Sequence, residues 1–187
     1  ERQGIKIVYV DATQGWVATT GVNETAPAID PPSYNVDMLV VAGGGSGGCN
    51  FGGGGGAGGL IYKTSHALNG GVTYDVVIGA GGAGNSTGDT SGNVGVDTTW
   101  TINGGATEFT AKGGGAGGSH AVDQDAEDGG SGGGAGRGDG TGGDKPGKEI
   151  QTTQPGDSGT YGFGYDGGDG SGGSPYYTSG GGGGAGG

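Results

Sequence analysis

Side chains able to do chemistry are few in this chain, and they stand apart. His66 and His120 are the two histidines and Cys49 the single cysteine among 187 residues. Nucleophilic catalysis needs a nucleophile beside a base that a third group orients. No spacing here suggests that set, so the chain reads as non-enzymatic. A lone cysteine also excludes an internal disulfide framework and a multi-cysteine metal site. Cys49 reads instead as small filler between glycine runs.

Other motifs lack the context they need. Val76 to Gly84 reads V-V-I-G-A-G-G-A-G, a strand followed by G-x-G-x-x-G. In dinucleotide sites those glycines open a helix whose N-terminus holds the pyrophosphate. Here Asn85-Ser86-Thr87-Gly88-Asp89 follows, which does not build that helix. The acidic group Asp123, Asp125, Glu127 and Asp128 offers carboxylates to calcium, which takes six to eight oxygens. The G-G-x-G-x-D repeat of calcium-loaded β-helices is missing, apart from a partial match at Gly167-Gly168-Asp169-Gly170, so a solvated acidic loop is expected. Arg137-Gly138-Asp139 spells an integrin-binding tripeptide, which glycine frequency alone produces by chance. Asn23-Glu24-Thr25 and Asn85-Ser86-Thr87 fit the glycosylation pattern, relevant only on a eukaryotic secretory route.

The aromatic group Tyr161, Phe163, Tyr165, Tyr176 and Tyr177 has more physical content. Tyrosine presents an apolar face and a polar tip at low entropy cost, as binding loops require. These five residues are the candidates for receptor contact. Capping the glycine-rich body against water is the structural alternative.

The elements that must position them are built mostly from glycine. Fifty-eight of the 187 residues are glycine, in runs such as Gly52 to Gly56 and Gly180 to Gly184. Ordering glycine costs roughly 0.5–1 kcal/mol more than ordering alanine in a regular element. The chain is therefore either disordered or held by backbone packing that glycine alone permits. Six prolines and runs of up to five glycines exclude collagen. The apolar segments Ile5 to Val10, Met38 to Val41, Leu60 to Tyr62 and Val76 to Ile78 argue against a flexible linker. A compact domain is expected, with glycine runs as polyproline II-type helices of three residues per turn, bonded sideways because they make no internal hydrogen bonds.

Strands are expected at Ile5 to Val10 and Trp16 to Thr20, paired as a hairpin, then at Val36 to Ala42, Leu60 to Thr64, Val72 to Ile78, Thr98 to Ile102 and Glu108 to Lys112. Most run directly into glycine tracts, and β and polyproline II backbones are neighbours in φ/ψ space. The expected class is all-β: a small antiparallel β-sandwich whose strands extend into a bundle of polyglycine II helices, with essentially no α-helix. Residues 1–33 are expected to hold the hairpin and a proline-containing linker, and residues 34–187 the glycine-rich domain. Residues 119 to 179 lack aliphatics for a conventional core and are expected to loop between further glycine helices.

The net charge of −12, from 7 Lys+Arg against 19 Asp+Glu, repels phosphate, so nucleic acid is not an expected partner. No apolar run approaches the roughly 18 to 20 residues of a membrane span, and insertion is not expected. Neither is a cofactor.

Taken together, Val36 to Gly48, Phe51, the Gly52 to Gly59 run, Leu60-Ile61-Tyr62 and Tyr74 to Gly84 resemble the glycine-rich domain of bacteriophage tail-fibre and related virion proteins of marine and cyanobacterial hosts. Val10 to Trp16 resembles the hairpin preceding such domains. The resemblance implies a virion structural or adhesion protein on the particle surface, assembled with other copies of itself, as a homotrimer, and with other virion proteins. It implies a host-surface glycan or outer-membrane protein as the attachment target. A similar sandwich with a glycine-helix insertion occurs in the anaplastic lymphoma kinase receptor ectodomain. Relatives usually close with an apolar strand after the last glycine run, whereas this sequence stops at Ala185-Gly186-Gly187; the expectation is either that the chain continues or that the sandwich is completed elsewhere, by another subunit. Glu1 is not an initiator methionine, and a processed piece is expected. An extracellular ice-binding protein and a glycine-rich surface-filament subunit are the alternatives.

Overall fold

The described residues form seven strands, each carrying β-branched or aromatic residues, and no α-helix; a long glycine-rich stretch joins the third strand to the fourth. The computed structural model describes residues 6–13, 15–20, 33–86, 88–120, 125–138, 145–151, 163–172, 175 and 177–185. It divides into two compact units, one of Glu1–Val36 with Ala67–Val72, the other of Asp37–His66 with Thr73–Gly187.

The first unit holds the hairpin of β1 (Lys6–Tyr9) and β2 (Trp16–Thr20). Its turn is fixed by the Gly15 amide donating to the Asp11 carbonyl at 2.7 Å and by positive φ at Gly15. Tyr9 meets Trp16 edge-on at 5.5 Å.

In the second unit, β3 (Tyr34–Val41) pairs with β4 (Leu60–Leu68), with the first residues of β3 and the last of β4 falling in the first unit. A separate antiparallel sheet has the order β5 (Tyr74–Val77), β6 (Thr98–Ile102), β7 (Thr107–Ala111). The all-β expectation holds, and every expected strand is found within a few residues. The small apolar core contains Met38, Val40, Ile61, Phe109 and Ala111. His66 packs edge-on against Phe109 at 5.0 Å and Trp100 at 6.4 Å.

Beyond the strands the core changes chemistry. The amides of Ala42, Gly45 and Gly48 donate to the carbonyls of Gly59, Gly56 and Gly53. Those of Gly43, Ser46 and Cys49 donate to Val96, Asn93 and Thr90. The bonds leave the run sideways, and each neighbour is met at every third residue.

The same rule extends through the unit. Residues 113–119 and 129–136 are continuously buried. Gly115 and Gly118 donate to Ser131 and Gly134, and the amides of Ser131 and Gly134 donate in turn to Ala57 and Gly54. Gly132 and Ala135 donate to Tyr165 and Gly168, and Gly180 and Gly183 return bonds to Ala135 and Gly132. The segment expected to loop between glycine helices therefore also supplies a central run of the buried layer. Backbone amides, which must be paired when buried, satisfy themselves here without aliphatic cover.

Glycine is required where the runs touch. A Cβ on Gly133 would lie 1.9 Å from the Ala116 carbonyl oxygen, and one on Gly45 would lie 2.1 Å from that of Gly115. No real Cβ tolerates such an approach.

Candidate functional site

The runs end together, and their ends carry the side chains. At the turn between residues 42–49 and 52–59, Asn50 and Phe51 take left-handed φ values of 47° and 55°. Such values cost a bulky residue of order 1 kcal/mol or more, and persist where surroundings hold them. Here the Phe51 carbonyl accepts the Arg137 amide at 3.0 Å and the Ser179 hydroxyl at 2.7 Å. Asn50 donates its side-chain amide to Asp89, and the Cys49 thiol donates to the Asn85 carbonyl at 3.0 Å. Four separate segments are thus tied at one end of the bundle.

Arg137 stands at the centre of this tip. Its guanidinium carbon lies 3.9 Å from the Tyr177 ring centroid and 4.9 Å from that of Phe51. His120 meets Phe51 edge-on at 5.9 Å. Phe51 is 60% exposed and Tyr177 50%. A guanidinium over aromatic faces gains cation–π attraction in addition to packing. The Nε of Arg137 is buried and has no hydrogen-bond acceptor among the described residues.

The five aromatic candidates do not form one group. Tyr177 belongs to the tip. Phe163 pairs with Leu60 in an isolated bridge at the strand end of the bundle, and half-exposed Tyr165 follows it there. Tyr161 and Tyr176 lie outside the described residues. Phe51, His120 and Arg137 complete the tip cluster, yet sequence reasoning did not join them to Tyr177. Position relative to the runs was the available signal: Phe51 follows one run, Arg137 ends Gly129 to Gly136, and Tyr177 precedes Thr178 to Gly184.

Two of the acidic residues that the sequence offers to calcium, Asp125 and Asp128, are engaged otherwise. Asp125 accepts the Lys145 amide at 2.9 Å and faces its ammonium at 3.8 Å; Asp128 accepts the Lys148 amide. Asp123 lies outside the described residues. Among the described residues no group of three or more His, Cys, Asp or Glu is placed to hold a metal ion. Within the G-x-G-x-x-G segment, Gly82 donates to the Gly44 carbonyl at 2.8 Å and the Ala80 carbonyl accepts the Val96 amide at 2.9 Å.

Two acidic side chains have depressed pKa values. At Asp97 burial pushes the carboxyl up, but hydrogen bonds from the Lys112 ammonium and the Gly113 amide, with the Lys112 charge, outweigh it and hold the group below its ordinary 3.8. Asp166 is lowered by the Glu149 amide and then by Lys148.

A groove of about 440 Å³ opens beside the strands, lined among others by Met38, Leu39, Val41, Val76, Ile78 and Trp100. Leu39 and Ile78 are 63% and 79% exposed. β3 bonds to β4 alone and β5 to β6 alone, so a sheet edge of each is unpaired by any other named strand.

An all-β body cored by glycine backbone, with Arg137, Phe51, His120 and Tyr177 gathered at its tip, is a glycine-rich domain. Residues 19–187 match the family model described as the glycine-rich domain, and the chain belongs to that family. No curated protein and no solved structure matches the chain.

Proposed function

We propose that this chain is a non-enzymatic virion protein, a tail-fibre or adhesin component of a bacteriophage, acting in host attachment from the particle surface. The glycine runs, on this reading, are polyglycine II helices, and their bundle is a stiff stalk that needs no large apolar core. The observation that carries the reading is the tip, where Arg137 is held between Phe51 and Tyr177 on a network of backbone hydrogen bonds. Recognition by aromatic and arginine anchors is the usual economy of a binding surface. A rigid platform keeps the entropy lost on contact small.

Its partners are other copies of the chain, as a homotrimer, other virion proteins, and a host-surface glycan or outer-membrane protein. The apolar groove beside β3 and β5 supports self-association, since exposed apolar patches of this kind mark contact surfaces.

The test is binding of fluorescent purified chain to a panel of intact marine and cyanobacterial cells. Saturable binding to particular strains, reduced by Tyr177→Ala, is expected. Absence of binding to every strain, or binding indifferent to the tip, contradicts the reading.

A further inference from the structure

We propose that the tip cluster binds a sugar bearing one carboxylate, a uronic acid residue of a surface polysaccharide. Arg137 grips the carboxylate, and the exposed rings of Phe51 and Tyr177 take the apolar face of the pyranose. The proposal rests on the adhesion reading above and names the ligand class of the same site.

Among the described residues Arg137 differs from three of the lysines. Acidic groups outnumber Lys+Arg by 19 to 7. Lys112 meets Asp97 at 2.7 Å, Lys145 meets Asp125 at 3.8 Å and Lys148 meets Asp166 at 3.1 Å. Arg137 has no carboxylate partner among the described residues, although it stands where several segments converge. Its Nε is buried and without an acceptor there. A buried Nε is out of reach of an external acceptor, which therefore meets the terminal nitrogens of the guanidinium.

Geometry selects the acceptor. Guanidinium and carboxylate are both planar and pair bidentately, with two parallel N–H···O bonds. Rings flanking that fork suit a flat, partly apolar ligand with a charged edge, because aromatic side chains combine large contact area with fixed orientation. One cation matches one carboxylate. A dense polyanion or an acidic protein segment meets repulsion from a body of charge −12.

The probe is methyl β-D-glucuronoside, with methyl β-D-glucoside as its neutral counterpart, followed by saturation-transfer NMR and by shifts of the Phe51 and Tyr177 ring signals. The glucuronoside is expected to bind, shift both rings and weaken with added salt, while the glucoside does not bind. Arg137→Gln is expected to lose about tenfold or more in affinity, the scale of one charge-assisted pair. Arg137→Lys keeps the charge but loses the planar fork, and is expected to lose most of the binding while its melting curve stays near that of the parent. Equal binding of both sugars, no binding of the glucuronoside, or unchanged affinity in folded Arg137→Lys overturns the proposal. A tetraglutamate peptide that shifts the same rings more strongly overturns it in favour of an acidic protein partner. Cell binding measured in parallel separates the two levels: strains bound without competition by glucuronoside remove the sugar and leave the adhesion reading standing, whereas no strain bound removes the adhesion reading itself.

Discussion

A Cβ placed on Gly133 would stand 1.9 Å from the carbonyl oxygen of Ala116. Two backbones meet there where most domains place side chains. Glycine's usual entropic cost is offset by contacts and hydrogen bonds that no other residue permits.

Substitution should therefore depend on position and not on glycine as such. Gly133→Ala is expected to cost about 3 kcal/mol or more, because backbone and not a flexible side chain must yield. Gly84→Ala, where nothing lies within 4 Å, is expected to be neutral or to stabilise by about 0.4–1 kcal/mol by restricting the unfolded chain. Chemical denaturation of the two variants checks this contrast.

The tip stack should be energetically coupled. A double-mutant cycle with Arg137→Gln and Tyr177→Leu is expected to give about 0.5–1 kcal/mol of coupling, the range for a cation over an aromatic face at an exposed site. Thermal or denaturant melts of the four proteins measure it. Strict additivity would mean that the stack contributes nothing to folding.

Acid stability should depend on Asp97. Its folded pKa is depressed, so its contribution is fully present above the ordinary 3.8 and is lost as pH falls from there through the depressed value. Melting temperature followed downward from pH 5 is expected to fall less steeply in Asp97→Asn than in the parent. Parallel slopes would show that the Lys112 and Gly113 contacts carry no linkage.

Self-association is expected to run through the apolar groove. Light scattering after size exclusion should give a trimer mass for the parent, and Leu39→Lys with Ile78→Lys should shift it toward monomer. A monomeric parent contradicts the trimer.

The strands were legible because apolar residues such as Val36 to Ala42 run straight into glycine, and the structure continues the β3 pairing from Ala42 through Gly45 to Gly48. The buried place of Gly129 to Gly136 was not legible. Its composition signals solvent-exposed loop, and only the lateral partners Gly115, Gly118 and Ala57 reveal that backbone itself is the core. The tip was legible in one residue, Tyr177. Arg137 was hidden inside a chance tripeptide, since stacking between Phe51 and Tyr177 joins positions far apart in the chain and leaves no local spacing.

Native-state hydrogen exchange on the amides of Gly114, Gly115, Gly117 and Gly118 tests the backbone core most directly. These donate to Gly43, Ser131, Ser46 and Gly134. All four are expected to exchange only through global unfolding, as slowly as Ile61 and Phe109 in the apolar core. Exchange near the rate of an unstructured glycine peptide, while Ile61 stays protected, would contradict a core made of backbone.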